Sequence, residues 1–490
     1  MKKVRTRIPP SPTGMFHVGS LRTALFDYLY AKKHGGDFLL RIEDTDRERL
    51  VEGATENIVE SLFWANIPPD EGVTMSNNKI TQIGERGPYV QSERLDIYKK
   101  YAAQLLEQGD AFYCFCGKER LDELRTMQQL NKQPPGYDGY CKALSKKDVQ
   151  SKIDAGTPHV VRLNMPDEGN TSWNDMVRGE VSFENALIDD QVLMKTDGFP
   201  TYHLAVVVDD YLMKITHIFR GEEWVSSTPK HIVLYNMFGW DVPEYAHLSL
   251  LTSSDGKKLG KRQGDVALMD FRQKGYLAEA MVNFVAFLGW NPGTDQEIFT
   301  LDELVDAFDF KKVHKAAAVF NYEKLDWYNR EWIKRLSVEE LTERARPFFE
   351  EKNLKTGDWK LQDLVGLGRE RVTTLADIPE NIAFILHMPD YEAGLLVWKK
   401  ADAPDASDKL AKISEKLAKI DESAWTEEGI GEIIMPWIKE NDYGNGNVLW
   451  PTRVALSGLE HSPGPFEIMT VLGKEKTLER IEEALEKLSP

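Results

Sequence analysis

The stretch RIPPSPTGMFHVGSLRTALFDYLY, from Arg7 to Tyr30, decides the fold of the first part of this chain. Just before the prolines, Val4, Thr6 and Ile8 alternate as in a short strand. After them, apolar residues recur at spacings of three and four, as on one face of a helix: Leu21, Ala24, Leu25, Tyr28 and Leu29. The following DFLLRIEDTD is typical of a second strand that ends in acidic residues. This order predicts an α/β unit whose loop lies at a strand's carboxyl end, where open α/β sheets bind ligands.

Further along the chain, two apolar segments predict more of the same sheet. The run TYHLAVVVDDYL contains Val206, Val207 and Val208 in succession, which favours a parallel strand buried on both faces. ITHIFRGEEW predicts another strand, with Arg220 and Glu223 at its carboxyl end. From about residue 325 helical periodicity dominates, and KADAPDASDKL, residues 400–410, predicts a polar linker within that part.

Length and composition exclude several classes of protein. A chain of 490 residues with 42% apolar and 29% charged residues is typical of a folded protein of two to four domains. A net charge of −18 argues against binding nucleic acid by bulk attraction, so any such contact must use local basic surfaces. No uncharged apolar run of about 18 residues occurs, and the first residues lack the apolar core of a signal peptide, so we expect a cytoplasmic protein without membrane contact.

Two loops offer positive charge for a phosphate group. His17 and Gly19 stand where the first helix begins, and free N–H groups at a helix start favour phosphate. The second loop is DGKKLGKRQGD, residues 255–265, in which glycines flank lysines. Each loop alone is ambiguous, since glycine turns and charge runs are common. Together they could grip a triphosphate from two sides and stabilise charge in a transition state.

These loops carry a resemblance to a known family. HVGS at 17–20 and KLGKR at 258–262 resemble the two signatures of class I aminoacyl-tRNA synthetases. RIPPSPTG, RIEDTD, QSERLDIY, PTYHLA, VVDD, RGEEW, STPKHIVLY and FEIMTVLGKE, in this order over nearly the whole chain, resemble bacterial-type glutamyl-tRNA synthetases. The resemblance implies a glutamate-tRNA ligase that uses ATP with Mg²⁺, takes L-glutamate and tRNA(Glu) as partners, and acts as a monomer.

The resemblance also implies a domain plan. The expected fold is α/β, with a Rossmann-like parallel-sheet catalytic domain at 1–115 and 191–250. An α+β insertion at 116–190 would bind the acceptor end of tRNA, and a stem-contact segment at 251–325 would contain the lysine loop. An all-α, helical anticodon-binding half would follow at 326–490.

The family's functional residues map onto matching positions of this sequence. The glutamate site is expected at Arg7, Pro9, Ser11, Glu43, Tyr202 and Arg220. The ATP site is expected at His17, Gly19, Glu223, Trp224, Leu251, Lys258 and Lys261, of which His17, Gly19 and Lys261 would act in catalysis. Arg371 matches an arginine that helps to exclude tRNA(Gln). Two positions depart from the family. Val206 replaces a common asparagine, so one polar contact near the glutamate is missing or supplied elsewhere, and Gly260 replaces a common serine, which predicts tuning rather than loss of activity.

The three cysteines of the chain cluster in the predicted insertion. Cys114 and Cys116 form C-x-C, and Cys141 follows with Tyr137 four residues before it. Three thiolates and one further ligand can close a tetrahedral zinc site. Some bacterial members of the family use a tyrosine at the matching position as fourth ligand, so we expect one structural Zn²⁺. The alternative is three reduced cysteines without metal.

Three other functions stay open at this point. A shorter tRNA-modifying relative shares the catalytic core but lacks the anticodon-binding half. Glutaminyl-tRNA synthetase shares signatures, but its carboxyl-terminal half resembles β-barrels. A non-catalytic tRNA-binding paralogue would not need His17, Glu43, Arg220 and Lys261 together.

Overall fold

The computed structural model describes residues 2–257, 259 and 267–489. Lys258, Gly260 and Lys261 of the predicted lysine loop lie outside these residues. The chain forms two compact units: the first comprises Met1–Phe271 and Met281–Tyr322, and the second comprises Arg272–Ala280 and Glu323–Pro490.

The first unit combines strands and helices. Its strands are β1 (Arg5–Ile8), β2 (Asp37–Leu40), β3 (Glu71–Ser76), β4 (Lys79–Ile83), β5 (Ala111–Cys114), β6 (Val160–Leu163), β7 (Asn170–Asp175), β8 (Gly179–Glu184), β9 (Val192–Met194), β10 (His217–Gly221), β11 (Glu244–Leu248), β12 (Leu251–Thr252) and β13 (Ala318–Val319). The helices up to residue 307 are α1 (Val18–Lys33), α2 (Ala54–Trp64), α3 (Leu95–Gln108), α4 (Lys118–Leu130), α5 (Lys146–Asp154), α6 (Tyr202–Leu212), α7 (Thr228–Met237), α8 (Leu268–Gln273), α9 (Ala278–Ala286) and α10 (Leu301–Ala307).

Parallel strands form the centre of this unit. β1 pairs with β2 and β2 with β3, all parallel, and β4 closes the edge as an antiparallel partner of β3. β10 and β11 are also parallel. The Thr216 N–H donates to the Arg5 carbonyl at 2.9 Å, so β10 begins beside β1. The strand, loop, helix, strand order predicted from the opening stretch is confirmed.

Helix α1 begins where the sequence predicts. His17 is its N-cap, and the His17 Nδ1 accepts from the Ser20 backbone N–H at 3.1 Å. Its apolar face is fully buried at Val18, Leu21 and Leu25. The chain turns away from the helix at Gly35, whose φ of +60° suits glycine.

The prediction of a strand at Val206–Val208 is wrong, because these residues lie in helix α6. Residues 204–210 are all buried. A helix buried on every side has no polar face, so its sequence is as continuously apolar as that of a buried strand. α6 packs in a core cluster with α3, α7, β6 and β9.

Residues 111–194 supply antiparallel structure. β6 lies between β5 and β9, and β7 and β8 form a separate hairpin. α4 and α5 come from the same part of the chain. This part therefore mixes helices with antiparallel strands, as expected for an α+β insertion.

The described residues of the second unit form helices and no strands. The helices are α11 (Tyr322–Ile333), α12 (Val338–Glu351), α13 (Leu361–Gly368), α14 (Asp377–Asn381), α15 (Ala383–Leu386), α16 (Ala403–Leu417), α17 (Glu427–Glu440), α18 (Asn445–Ser457) and α19 (Pro465–Leu488). The predicted α/β fold followed by a helical half is confirmed. Among the described helices, none is both long and apolar enough to cross a membrane.

The polar linker predicted at residues 400–410 is wrong for most of its length. Asp402 caps α16 by accepting from the Asp405 N–H at 2.9 Å, and Pro404 lies in the first turn. Small polar residues with a proline are common both in loops and at helix starts. The capping pattern, rather than the polarity, determines that this segment is helical.

Candidate active site

A cavity of about 760 Å³ opens at the carboxyl ends of β1 and β10 and at the start of α1. Its lining includes the predicted site residues Arg7, Pro9, Ser11, His17, Gly19, Glu43, Tyr202, Arg220, Glu223, Trp224 and Leu251. The structure thus brings together the residues predicted for glutamate and for ATP, apart from Lys258 and Lys261, which lie outside the described residues. Val206, which departs from the family, is buried in the core cluster.

Arg7 leaves β1 with its guanidinium almost completely buried. Its Nε donates to Asp210 of α6 at 3.0 Å, and Arg41 donates to the same carboxylate at 2.7 Å. Burial would raise the pKa of Asp210, but the charges of the two arginines outweigh it and hold that pKa below its usual range. The Nη1 and Nη2 atoms of Arg7 are buried and have no hydrogen-bond partner among the described residues. They are therefore available to a ligand.

Glu43 follows β2 and supplies a buried carboxylate. Arg41 donates to its Oε1 at 2.9 Å, and Gln91 donates to the same oxygen at 3.3 Å. Burial raises the pKa of Glu43 to about 7, against the opposing charge of Arg41. The ionised carboxylate would attract a positively charged group of a ligand in the cavity.

Arg220 of β10 is buried among neutral acceptors. Its Nη1 donates to the Tyr202 hydroxyl at 3.2 Å and its Nη2 to the Thr228 hydroxyl at 2.7 Å. Its Nε donates to His247 at 3.1 Å, and Nη1 also donates to His231 at 3.2 Å. Burial and the charge of Arg220 lower the pKa of His231, and burial lowers that of His247. Within the described residues, no carboxylate pairs with Arg220.

The start of α1 forms another wall of the cavity. His17 is exposed and caps the helix, so its ring lies over the first turn. A Cβ at Gly19 would stand 3.1 Å from the His17 ring, so a side chain there would crowd the histidine. Free N–H groups at this end suit a phosphate.

The aromatic part of the cavity comes from α6 and from the turn after β10. The rings of Tyr202 and Trp224 lie 4.4 Å apart, and Trp224 keeps 36% of its surface exposed. Leu251 is buried nearby in the lining. An exposed indole beside a tyrosine offers a stacking surface for a flat ring.

The predicted zinc residues come together. The Sγ atoms of Cys114, Cys116 and Cys141 all lie within 4.8 Å of one another. The Cys116 and Cys141 sulfurs are 3.6 Å apart, and the Tyr137 oxygen is 3.6 Å from Cys116 Sγ. Sulfurs bound to one tetrahedral Zn²⁺ at 2.3 Å would be about 3.8 Å apart. The donor set and its spacing therefore fit zinc.

Arg371 lies far along the chain, in the helical unit. It ends a short 3₁₀ helix, Arg369–Arg371, and its Nη1 donates to Glu467 at 3.4 Å. Its side chain is 43% exposed. The guanidinium is therefore accessible to a partner.

Sequence reasoning missed several residues that shape the cavity. Asp210 stands in VVDD, where two adjacent acids in a buried apolar run require cationic partners, and this is the signal that could have found it. Arg22 of α1 lines the cavity and donates to the Ser249 carbonyl, and burial lowers its pKa to about 10. His231 and His247 carry no local signal, because their partners are distant in sequence.

Comparison with known proteins agrees with this architecture. Residues 3–327 match the family model described as tRNA synthetases class I (E and Q), catalytic domain, and residues 340–485 match an anticodon binding domain. The glutamate–tRNA ligase of Finegoldia magna is 44% identical over 99% of this chain and 100% of its own, and that of Clostridium tetani is 46% identical over 99% and 98%. The chain belongs to the glutamate–tRNA ligase family. Its predicted fold class and enzyme class are confirmed.

Solved structures of this family match over the full length. A glutamate tRNA ligase from Elizabethkingia meningosepticum, crystallised in complex with its amino acid, has a TM-score of 0.88 at 37% identity and covers 100% of both chains. A glutamate-tRNA synthetase from Elizabethkingia anophelis has a TM-score of 0.86 at 37% identity, covering 99% of this chain and 100% of that one. The anticodon binding domain match argues against the shorter relative that lacks this half.

Proposed function

We propose that this chain activates L-glutamate with ATP and transfers it to the terminal ribose of tRNA(Glu). The α-carboxylate of glutamate attacks the α-phosphorus of ATP, which forms glutamyl adenylate and releases pyrophosphate. A ribose hydroxyl of the tRNA then attacks the glutamyl carbonyl carbon, which releases AMP. No side chain needs to act as nucleophile, so the protein contributes alignment and charge stabilisation.

The charges of the cavity carry this proposal. Free glutamate presents one ammonium and two carboxylates, and the cavity offers one buried acid, Glu43, with two buried arginines, Arg7 and Arg220. Among the described residues, the Nη atoms of Arg7 have no hydrogen-bond partner and the hydrogen-bond partners of Arg220 are neutral, so both guanidinium groups are able to bind a carboxylate. We assign the α-ammonium to Glu43 and the carboxylates to the arginines.

This arrangement would separate glutamate from glutamine without a second, editing site. The two amino acids have nearly the same size, so the pocket must distinguish them by charge. A glutamine side chain would leave a buried guanidinium without a counter-charge, which typically costs several kcal/mol. Pro9, Ser11 and Tyr202 complete the lining of the glutamate site in this proposal.

We place ATP between the start of α1 and the turn after β10. The phosphates would contact His17 and the N–H groups near Gly19, and Glu223, Trp224 and Leu251 would hold the adenosine. Mg²⁺ and the predicted Lys258 and Lys261 would add positive charge to the phosphates. A bound Mg²⁺ would offset negative charge on the phosphates.

For the tRNA we propose the domain plan expected from the sequence, with 116–190 at the acceptor end, 251–325 along the stem and 326–490 at the anticodon. The exposed Arg371 would help to exclude tRNA(Gln). Cys114, Cys116 and Cys141 would hold one structural Zn²⁺, with Tyr137 as fourth ligand, and so keep the acceptor-binding part in shape. The cytoplasmic location and the monomeric state stay predictions.

Glutamate-dependent exchange of pyrophosphate into ATP, with and without tRNA, tests this function. We expect exchange with glutamate and much less with glutamine at equal concentration. A non-catalytic paralogue would bind tRNA but support no exchange with or without it. That result would overturn the proposal.

A further inference from the structure

A buried carboxylate from the β7–β8 hairpin reaches the arginine of the cavity through a histidine. Asp175 is the last residue of β7, and His247 lies in β11, 72 residues later. The Asp175 Oδ2 accepts from His247 Nδ1 at 2.5 Å. The other ring nitrogen, Nε2, accepts from Arg220 Nε at 3.1 Å. Both side chains are fully buried, so water does not compete for these hydrogen bonds.

This arrangement fixes the tautomer of His247. A carboxylate facing Nδ1 keeps the proton on that nitrogen, which leaves the lone pair of Nε2 free to accept. The guanidinium can only donate, so Arg220 requires this tautomer. The Thr228 hydroxyl lies 3.0 Å from His247 Nε2 and accepts a hydrogen bond from Arg220 Nη2. It therefore contacts both His247 and Arg220.

The other oxygen of Asp175 is anchored to the backbone. Its Oδ1 accepts from the N–H groups of Val177, Arg178 and His247 at 3.1, 3.0 and 3.2 Å. The carboxylate therefore cannot rotate without losing three backbone hydrogen bonds. Oδ2 is held against His247 for the same reason.

We propose that Asp175 is a positioning residue for glutamate binding, acting through the His247 tautomer on the orientation of Arg220. The proposal rests on the proposed role of Arg220 in binding glutamate. Asp175 itself does not line the cavity. It decides whether the face of His247 toward Arg220 accepts or donates a hydrogen bond.

The variant Asp175→Asn separates this role from a structural one. An amide nitrogen cannot accept three backbone N–H groups, so the amide oxygen must take the place of Oδ1. The NH₂ group then faces His247 Nδ1 and donates to it, which moves the ring proton to Nε2. Two donors, Nε2–H and the Arg220 Nε–H, would oppose each other, while the hairpin keeps its backbone hydrogen bonds.

The test measures glutamate and ATP kinetics in pyrophosphate exchange for Asp175→Asn, Arg220→Leu and the double variant. We expect Asp175→Asn to raise the KM for glutamate by about 10-fold to 100-fold, as for a buried hydrogen bond turned unfavourable. The KM for ATP should change less than about twofold. In the Arg220→Leu background, Asp175→Asn should have almost no further effect, because the two residues act in one chain.

Asp190→Asn is the matched control. Asp190 comes from the same part of the chain and accepts a hydrogen bond from the Met165 backbone N–H at 2.9 Å. It makes no hydrogen bond to Arg220 or His247. It should keep wild-type kinetics. If Asp175→Asn fails to fold, His247→Phe keeps a flat aromatic ring and removes both nitrogens, and it should raise the KM for glutamate alone in the same way.

The outcomes separate the two proposals. A raised KM for glutamate in Arg220→Leu with a wild-type KM in folded Asp175→Asn would overturn the positioning role and leave the glutamate site intact. Additive effects in the double variant would also overturn it, because the residues would then act independently. Unchanged glutamate kinetics in folded Arg220→Leu would overturn the proposed role of Arg220 in binding glutamate, and the positioning role of Asp175 with it.

Discussion

Replacing Arg220 with leucine should weaken glutamate binding far more than ATP binding. Arg220 is 6% exposed, and its described hydrogen-bond partners are neutral, so no carboxylate of the described residues contacts its guanidinium directly. A ligand carboxylate about 4 Å from the guanidinium gains about 4 kcal/mol at an effective dielectric constant of about 20. Arg7 would retain part of this attraction in the variant. We therefore expect the KM for glutamate to rise by about 100-fold to 1000-fold.

The assay is pyrophosphate exchange at varied glutamate, glutamine and ATP, with thermal unfolding as a check on the fold. Arg220→Leu should also reduce the preference for glutamate over glutamine, because the variant no longer leaves a buried cation unpaired when glutamine binds. Arg7→Leu is the companion variant, and Arg346→Leu, an exposed arginine of α12, is the control. If folded Arg220→Leu and Arg7→Leu both keep wild-type glutamate kinetics, the glutamate pocket lies elsewhere.

Four further predictions concern other parts of the chain. Lys261→Ala should slow adenylate formation by roughly 100-fold or more with little change in glutamate binding, measured by single-turnover kinetics; wild-type rates would refute its role at the phosphates. Because the pKa of Glu43 is raised to about 7, its carboxylate is lost as the pH falls through 7, so the KM for glutamate should rise below pH 7 in the wild type; a profile identical in Glu43→Gln would contradict this. Purified protein should contain about one zinc by elemental analysis and Cys141→Ser should lose it, whereas metal-free, fully active wild type would favour reduced cysteines. Arg371→Ala should increase charging of tRNA(Gln) relative to tRNA(Glu); an unchanged ratio would exclude this residue from discrimination.

The local elements could be predicted where the sequence carries a period. The apolar residues of α1 recur at spacings of three and four, which is enough to indicate a helix, although the polar Arg22 and Asp27 are buried among them. α6 is buried on all sides, and its apolar run has no period that separates a helix from a strand. The start of α16 escaped prediction for a different reason. An aspartate and a proline such as Asp402 and Pro404 are as common at the start of a helix as in a loop.

The site was predictable only in part for a similar reason. Arg7, Glu43 and Arg220 stand in recognisable motifs near the ends of predicted strands, so the sequence could place them near one edge of a sheet. Their partners could not be found in this way. Asp210 is 203 residues from Arg7, and Asp175 is 72 residues from His247, so these contacts depend on the tertiary fold. The sequence around a buried arginine does not indicate whether the side chains that will surround it in the fold are neutral or charged.

Transfer of labelled glutamate to purified tRNA(Glu) is the decisive measurement of the proposed activity. With ATP and Mg²⁺, the full chain should form about one base-labile glutamyl ester per tRNA(Glu), and glutamine should not replace glutamate at equal concentration. Formation should stop when ATP is omitted. Absence of ester from folded protein with intact tRNA(Glu), or equal charging with glutamine, would contradict the account.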